Sequence, residues 1–269
     1  MLTKKELENY LDIAKEAATA GGYFLSKFWG KAFKIQEKET PGDLVTEADK
    51  YSEKAIIEIL TSRCPSHSLL AEESGRKDTT QSEFLWTVDP LDGTINYAHG
   101  FPFVAVSIAL LYQGYPVVGV IYNPILQELF TCTRGGGAFL GNLRLYVSKT
   151  NQLGKSLLAT GFPYNRRGTA DNNYKEFAHL TNLTQGVRRA GAAALDLAYV
   201  ASGQFDGYWE KGIKPWDIAA GALLVEEAGG KVSAYDGSAL DIMEPQILAT
   251  NGHIHQSMIQ ELSILRQTI

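Results

Sequence analysis

The segment 86–96 constrains this chain more than any other, because it delivers two carboxylates into a tight turn. It reads W-T-V-D-P-L-D-G-T-I-N. The apolar, β-prone run 84–88 predicts a buried strand, and Pro90 and the glycine three residues later then curl the backbone. A turn of this kind can direct Asp89 and Asp92 at one divalent cation. The segment alone also fits a plain surface turn, in which Asp-Gly is only turn chemistry.

Composition and charge indicate a globular protein without a nucleic-acid footprint. The sequence has 269 residues, is 45% hydrophobic and carries a net charge of −5. Its length suits one large domain or two closely packed halves, and its acidity does not favour nucleic acid as a partner. The two cysteines, Cys64 and Cys132, have no C-x-x-C neighbour, which favours a reducing compartment. The longest apolar run, 101–112, is too short to span a bilayer, so we expect a soluble cytoplasmic protein with no membrane partner.

Hydrophobic spacing changes character near residue 150 and predicts two halves, 1–150 and 151–269. In the first half, a capping pattern at Thr3 and Glu6 predicts a long helix, and a second helix is expected to begin near Thr46. Short apolar segments separated by Gly, Pro or Asn then predict an antiparallel meander. These segments lie near 84–88, 104–112, 117–122, 128–133 and 138–147.

In the second half, predicted strands alternate with predicted helices, which is typical of an α/β arrangement. The helices are expected at 173–183, 193–202, 218–228 and 254–266, and the strands near 156–160, 231–235 and 247–250. No linker rich in Ser or Pro separates the two halves. We therefore expect them to pack tightly, with a ligand in the crevice between them.

Acidic residues recur where strands end or helices begin. They are Asp43 with Asp49, Glu72 with Glu73, Asp89 with Asp92, and Asp217. Each has an ordinary explanation when taken alone, such as helix capping for Asp217 or the helix dipole for Asp49. Together they form a donor set of oxygens only, which selects Mg²⁺, Mn²⁺ or Ca²⁺ rather than zinc. The histidines show no zinc-protease spacing, and His253 and His255 are predicted to lie on the surface.

Four motifs follow one another along the chain: D-L-V-T-E-A-D at 43–49, A-E-E-S at 71–74, the segment 86–96, and W-D-I-A-A-G-A-L-L-V-E-E-A-G-G at 216–230. In this order they resemble the inositol monophosphatase family over essentially the whole chain. The resemblance implies a layered αβαβα sandwich, in which an N-terminal antiparallel sheet with its helices packs tightly on a C-terminal α/β half. It also implies a homodimer and a lithium-sensitive phosphatase that uses two or three Mg²⁺ ions per site, with Mn²⁺ able to substitute.

The resemblance also implies a role for particular residues. The metal ions are expected to be held by Glu72, Asp89, the carbonyl of Leu91, Asp92 and Asp217. The attacking water is expected to be oriented and activated by Glu72 and by Thr94, which hydrogen-bonds to Asp49. The phosphate and the inositol hydroxyls are expected to be bound by Asp92, Gly93, Thr94, Gly191, Ala192, Ala193 and Glu210. Lys38 matches a lysine near the family's metal site.

Other phosphatase chemistries lack their motifs. A cysteine phosphatase needs Cys-x5-Arg, but Leu70 and Ala138 stand at the arginine positions. The chain also has no Asp-x-Asp at a strand end, and the run Gly135–Gly137 lacks the Lys-Ser/Thr of a P-loop, so a hairpin turn is expected there.

The substrate is less constrained than the metal site. The leading hypothesis is hydrolysis of inositol 1-phosphate by in-line attack of an activated water. Histidinol phosphate, fructose 1,6-bisphosphate and 3′-phosphoadenosine 5′-phosphate remain alternatives, because the acidic motifs do not separate them. Glu210 favours a neutral polyol.

A binding role for protein or RNA on the same scaffold is a separate alternative. The basic pairs Arg166-Arg167 and Arg188-Arg189 are the features of the sequence that could seed such a surface.

Overall fold

A computed structural model of the chain describes residues 2–31, 35–37 and 44–266. Seven α-helices lie in these ranges: α1 Lys4–Phe28, α2 Glu47–Arg63, α3 Thr94–Ala98, α4 Tyr174–Leu183, α5 Ala193–Ala201, α6 Pro215–Glu227 and α7 His255–Arg266. None of the described helices is long and apolar enough to cross a membrane.

The first sheet has eight strands in the order β10-β9-β8-β7-β6-β5-β3-β4. Its strands are β3 Ser68–Ala71, β4 Gly75–Lys77, β5 Phe84–Asp92, β6 Ala105–Tyr112, β7 Tyr115–Asn123, β8 Glu128–Thr133, β9 Gly137–Leu140 and β10 Leu143–Arg144, while β1 Ile35–Glu37 and β2 Leu44–Thr46 form a separate pair. Strands β5 to β10 form the predicted antiparallel meander, and β3 lies parallel to β5. The predicted strand 138–147 is instead a hairpin of β9 and β10, because the chain turns between Leu140 and Leu143.

The second sheet has five strands in the order β12-β11-β13-β15-β14. They are β11 Leu157–Thr160, β12 Gly186–Arg188, β13 Gly207–Lys211, β14 Lys231–Ser233 and β15 Gln246–Thr250. Strand β11 lies parallel to both β12 and β13, whereas β15 is antiparallel to its neighbours. Strands β12 and β13 were absent from the sequence prediction. They are short and show no alternation of apolar and polar residues that would predict a strand. Each is a strand because it pairs with β11.

The layers follow the order expected of an αβαβα sandwich. Helices α1 and α2 cover the outer face of the eight-stranded sheet, α5 and α6 lie between the sheets, and α4 and α7 cover the five-stranded sheet. Alternation along β6 shows how one strand serves two layers: Ile108 and Leu110 join the core under α1 and α2, while Ala109 and Leu111 join the core around α5 and α6. The fold class predicted from the sequence is confirmed.

Close approach between small residues sets the positions of two helices. A Cβ added to Gly21 of α1 would lie 2.7 Å from both Ile56 Cδ1 and Ser52 Oγ of α2, so the absence of a side chain here lets the two helices pack closely. A Cβ added to Gly119 of β7 would lie 3.0 Å from the carbonyl oxygen of Ala220 in α6. The missing side chain at Gly119 therefore lets α6, which carries Asp217, lie directly on the eight-stranded sheet.

His255 is buried, with 1% of its surface exposed, so its predicted surface position is wrong; His253 is exposed as expected. Ser233 Oγ donates to the Ala234 carbonyl, so it accepts from His255 Nε2 at 2.9 Å, and Nδ1 accepts from the Thr250 hydroxyl at 2.9 Å. Both ring nitrogens are satisfied in the neutral tautomer. Burial lowers the pKa of His255 to about 4.

The contact at Gly119 yields a first prediction. Gly119→Ala should lower the free energy of unfolding by about 1–3 kcal/mol, because the new methyl group must displace the α6 backbone. Urea denaturation followed by circular dichroism measures this change. The control is Gly154→Ala, whose added Cβ would meet only Leu183 O at 3.7 Å. Equal stability of the two variants would contradict the close contact.

The buried histidine yields a second prediction. Because the folded pKa of about 4 lies below the unfolded value near 6.5, the neutral ring stabilises the fold fully above pH 6.5 and less as the pH falls towards 4. His255→Gln should remove this loss, which has a slope of up to about 1.4 kcal/mol per pH unit. Denaturation of both proteins between pH 7 and 4 measures the difference, and parallel curves would show that His255 does not titrate in this way.

Candidate active site

A one-residue bulge in β5 turns Asp89 and Asp92 towards the same side of the sheet. Residues three apart on a regular strand point to opposite faces. Here Asp89 pairs with Ser107 and Asp92 pairs with Ala105, so three steps on β5 face two steps on β6. The extra residue in β5 therefore brings Asp89 and Asp92 onto the same face of the sheet. The bulge contains Pro90, which cannot donate a ladder hydrogen bond.

The bulge is held by its own side chains. The N–H of Leu91 donates to Asp89 Oδ1 at 2.9 Å, and the Thr94 hydroxyl donates to the Leu91 carbonyl at 3.1 Å. Gly93 then has φ of 89°, and an added Cβ would lie 2.9 Å from the Phe103 carbonyl. Glycine is therefore required where the chain leaves β5 for α3.

Glu72 reaches the same place from the neighbouring strand. Strand β3 ends at Ala71, which pairs with Val88 of the parallel strand β5. The N–H of Glu72 continues this pairing and donates to the Val88 carbonyl at 3.1 Å. Two parallel strand ends thus bring Glu72 and Asp89 together, and the charge of Glu72 adds to burial in raising the pKa of Asp89.

Asp217 comes from the middle helix layer. It occupies the first turn of α6, where its Oδ2 accepts from the N–H of Lys214 at 2.9 Å. The predicted helix start at residue 218 is three residues late, because Pro215 begins the helix. The charge of Asp217 also adds to burial in raising the pKa values of Asp89 and Asp92. Asp217 therefore caps α6 and also lines the site.

Asp49 lies behind the other acids and contacts Thr94. Its Oδ2 accepts from the N–H and the hydroxyl of Thr46 in a capping box that begins α2. Its Oδ1 lies 3.4 Å from the Thr94 hydroxyl. Because that hydroxyl directs its hydrogen at Asp49 or at the Leu91 carbonyl, its lone pairs remain available to accept a hydrogen bond.

The second half of the chain completes the opposite wall. Asp92 Oδ2 accepts from the N–H of Ala194, in the first turn of α5, at 2.7 Å. This hydrogen bond ties the end of β5 to the segment Gly191–Ala193, which precedes and begins α5. Glu210 of β13 accepts a hydrogen bond from the Tyr208 hydroxyl and lies against Gly161, where any side chain would collide with its carboxyl.

These elements enclose one cavity of about 270 Å³. Of the residues to which the family resemblance gives a role, the cavity is lined by Glu72, Asp89, Leu91, Asp92, Gly93, Thr94, Gly191, Ala192, Ala193, Glu210 and Asp217. Asp49 stands behind Thr94 and does not line it. Lys38 and Asp43 lie outside the described residues.

Asp196 and Arg189 also line the cavity but were not found from the sequence. Asp196 lies in the first turn of α5, where an acid has an ordinary helix-dipole explanation. It is 1% exposed, and its Oδ1 has no hydrogen-bond partner in the described structure. The arginine pair 188–189 was visible as charge, but no pattern in the sequence assigned it to the cavity.

Burial raises the pKa values of Asp89, Asp92, Asp196, Asp217 and Glu210, and nearby carboxylates add to the rise at the four aspartates. The pKa of Asp89 is raised well above its usual range by burial first and then by Glu72 and Asp92. Asp92 is raised by burial and by Asp217. The pKa values of Asp217 and Glu210 rise to about 7, again chiefly through burial. Such a set holds protons near neutral pH unless another positive charge neutralises it.

The chemistry of the donors fits a hard divalent cation. Within the described ranges, no three His, Cys, Asp or Glu side chains already surround one point as metal ligands. Burial and the charges of Glu72, Asp92 and Asp217 instead raise the pKa of Asp89, which favours retention of protons on these carboxyl groups. A cation can replace such protons and relieve the repulsion among the acids. With oxygen donors only, that cation would be Mg²⁺ or Mn²⁺ rather than zinc.

Comparison with known proteins agrees with this geometry. Residues 6–267 match the model of the inositol monophosphatase family. An inositol-1-monophosphatase of Synechocystis sp. is 54% identical over 99% of this chain and 93% of its own length. The Nus factor SuhB of Pseudomonas aeruginosa is 41% identical over 94% of this chain and 95% of its own.

Solved structures show the same fold. The inositol monophosphatase from Anabaena (Nostoc) sp. PCC 7120 matches with a TM-score of 0.89 and 53% identity, covering 96% of each chain. An IMPase/NADP phosphatase in complex with Mg²⁺ and phosphate matches with a TM-score of 0.74 and 28% identity, covering 85% of each chain. The chain therefore belongs to the inositol monophosphatase family and is an enzyme of the phosphatase class.

Proposed function

We propose that this enzyme hydrolyses inositol 1-phosphate to inositol and inorganic phosphate, with Mg²⁺ as its cofactor. The observation that carries the proposal is the convergence of Glu72, Asp89, Asp92 and Asp217 on one cavity of about 270 Å³. The name of the Synechocystis relative supports the substrate, and the Mg²⁺ and phosphate in a related structure support the cofactor.

In this proposal the acids of the cavity hold the metal ions. Glu72, Asp89, the Leu91 carbonyl, Asp92 and Asp217 would be the ligands, and Asp89 would contribute to the binding of two of the ions. Two or three Mg²⁺ ions per site are expected, and Mn²⁺ can substitute. When bound, such ions lower the pKa of water, neutralise the phosphoryl oxygens and stabilise the leaving oxygen.

The phosphate would be held by backbone groups of the turn after β5. Within the described part of the chain, the N–H groups of Gly93 and Thr94 donate to no other residue. Free N–H groups at the start of a helix favour an anion. Phosphoryl transfer depends mainly on positioning and electrostatics, so fixing the ester here contributes directly to rate.

Proton movement would run through Thr94 and Glu72. The Thr94 hydroxyl points its hydrogen at Asp49 or the Leu91 carbonyl, which leaves its oxygen free to accept a hydrogen bond from the attacking water. Glu72 would take a proton from that water as the general base. Attack in line with the leaving oxygen would break the P–O bond, and the leaving oxygen would take a proton from solvent to give the alcohol and free phosphate.

The opposite wall would bind the alcohol. Asp92, Glu210 and the backbone of Gly191–Ala193 line the cavity and would contact the hydroxyls of the alcohol. Carboxylates accept hydrogen bonds from hydroxyls and repel a second phosphate, so this wall favours a neutral polyol over a bisphosphate. Arg189 is the feature that favours the bisphosphate alternatives, because its charge faces Asp196 and Glu210 and lowers their pKa values. Histidinol phosphate and 3′-phosphoadenosine 5′-phosphate stay as alternatives.

The remaining properties in this proposal come from the family. A cytoplasmic homodimer that Li⁺ inhibits by competing at an Mg²⁺ site is what membership suggests.

A second candidate is a binding role on the same scaffold, which the Nus factor relative favours. Arg167, Arg188 and Arg189 of the basic pairs are exposed, so a partner can reach them. Because Arg189 also lines the cavity, the test reverses only Arg167 and Arg188: loss of partner binding with intact phosphatase turnover would support the second role.

A third prediction tests the substrate and the cofactor. Purified protein should release phosphate from inositol 1-phosphate in Mg²⁺, and EDTA should abolish this activity. A panel with histidinol phosphate, fructose 1,6-bisphosphate and 3′-phosphoadenosine 5′-phosphate, compared by kcat/KM, measures preference. A higher kcat/KM for another ester would overturn the substrate and keep the metal chemistry, whereas full activity in EDTA would overturn the metal.

A fourth prediction tests the shared ligand. Asp89→Asn should lower kcat/KM at least about 10³-fold, because it removes charge from the centre of the site. The unfolding free energy of the metal-free protein should not fall, since the change also removes repulsion from Glu72, Asp92 and Asp217. Asp12→Asn, at an exposed position of α1, is the matched control. Turnover near that of the control would refute the assignment of Asp89.

A further inference from the structure

One face of helix α2 contacts two segments of the site: the bulge of β5, which follows Asp89, and the loop after β3, which carries Glu72. Asp49, Ser52 and Glu53 are spaced at i, i+3 and i+4, which places them side by side on a helix. All three are buried, and Glu53 is only 5% exposed. Asp49 contacts Thr94, as described above. Ser52 contacts the bulge of β5 and Glu53 contacts the loop after β3. The proposed mechanism gives neither side chain a role.

Ser52 holds the bulge of β5. Its hydroxyl donates to the carbonyl oxygen of Pro90 at 2.8 Å, and its side chain is fully buried. Gly21 of α1 packs on the same atom, since a Cβ there would lie 2.7 Å from Ser52 Oγ. The hydroxyl is therefore confined between α1 and the residue that separates Asp89 from Leu91.

Glu53 holds the loop that follows β3. Its Oε2 accepts from the N–H of Glu73 at 2.9 Å, and the hydroxyl and N–H of Ser74 also hydrogen-bond to it. Within the described ranges Glu53 forms no ion pair. A buried carboxylate without a cation is costly unless its hydrogen bonds are satisfied, and here those bonds go to the two residues after Glu72.

Glu72 therefore lies between two anchors. On one side its own N–H is bound to the Val88 carbonyl of β5. On the other side, Glu73 and Ser74 are bound to Glu53 of α2. Loss of the second anchor would leave the loop 72–74 held by the Glu72 hydrogen bond to Val88 and by the pairing of β3 with β4 at its two ends.

We propose that Glu53, assisted by Ser52, is a positioning residue that fixes the loop 72–74 relative to the bulge of β5, so that Glu72 and Asp89 are held at the separation a metal ion needs. This inference rests on the proposed function. Groups that orient metal ligands typically change metal affinity or activity about 10- to 100-fold when they are removed. Helix α2 is then a rigid support for ligands on two different loops.

The test measures Mn²⁺ binding to the metal-stripped protein by calorimetry, without substrate. Glu53→Ala should weaken Mn²⁺ binding about 10- to 100-fold. In the same metal-free variant, hydrogen exchange at the amides of Glu73 and Ser74 should become faster, because both lose their acceptor. Glu53→Gln keeps one acceptor oxygen and should restore most of the affinity.

Two further variants separate positioning from charge and from folding. Glu58→Ala removes the same charge from an exposed position of α2 and should bind Mn²⁺ like the wild type. Ser52→Ala removes a single hydrogen bond to Pro90, so it tests the same support if Glu53→Ala does not fold, and it should also weaken Mn²⁺ binding.

The outcomes are distinct. Faster exchange together with weaker binding in Glu53→Ala, but not in Glu58→Ala, supports the inference. Unchanged Mn²⁺ affinity in Glu53→Ala and Ser52→Ala overturns it, even if thermal stability falls. A wild-type protein that binds no Mn²⁺ overturns the proposed cofactor, and the inference with it.

Discussion

The mutual repulsion of buried carboxylates is the constraint on which this structure depends. Asp89, Asp92 and Asp217 share one cavity with Glu72, and the charges of Glu72 and Asp217 add to burial in raising the pKa values of both Asp89 and Asp92. Buried like charges oppose folding unless protons or cations compensate them. Favourable packing elsewhere in the fold must offset this repulsion. The two sheets and three layers of helices provide that packing. The middle layer of α5 and α6 is covered on both sides, so the residues at its helix starts have little freedom to move apart.

Each acid is held by a backbone device as well as by its strand or helix. Asp92 accepts from the first turn of α5, Asp217 caps α6, and Asp49 closes the capping box of α2. One carboxylate oxygen of each is used in this way, which leaves the other oxygen to face the site. The same side chains therefore serve local structure and chemistry together. This explains why an ordinary helix-start interpretation of Asp49 and Asp217 was adequate when each residue was considered alone.

Much of this arrangement was predictable from local pattern. The capping boxes at Thr3 and Thr46, the meander and most helices follow from periodicity and turn residues, and the acidic clusters indicated a metal site. The predictions that were wrong or missing concern residues whose partners lie far away in the chain. His255 is buried because Ser233, 22 positions away, and Thr250 satisfy its ring, and β13 exists because β11 and β15 pair with it. Asp196 reaches the cavity through the packing of α5, for which a single sequence gives no signal.

The bulge in β5 makes the spacing of the motif as important as its composition. Asp89 and Asp92 are three residues apart and share a face because one extra residue between them forms the bulge. Deletion of one residue would restore a regular strand, so the bulge would be lost together with the hydrogen bonds of Leu91 to Asp89 and Thr94. Substitution at Pro90 could preserve the geometry, but a change in length could not. We expect natural variation in this segment to alter residue identity and never residue number.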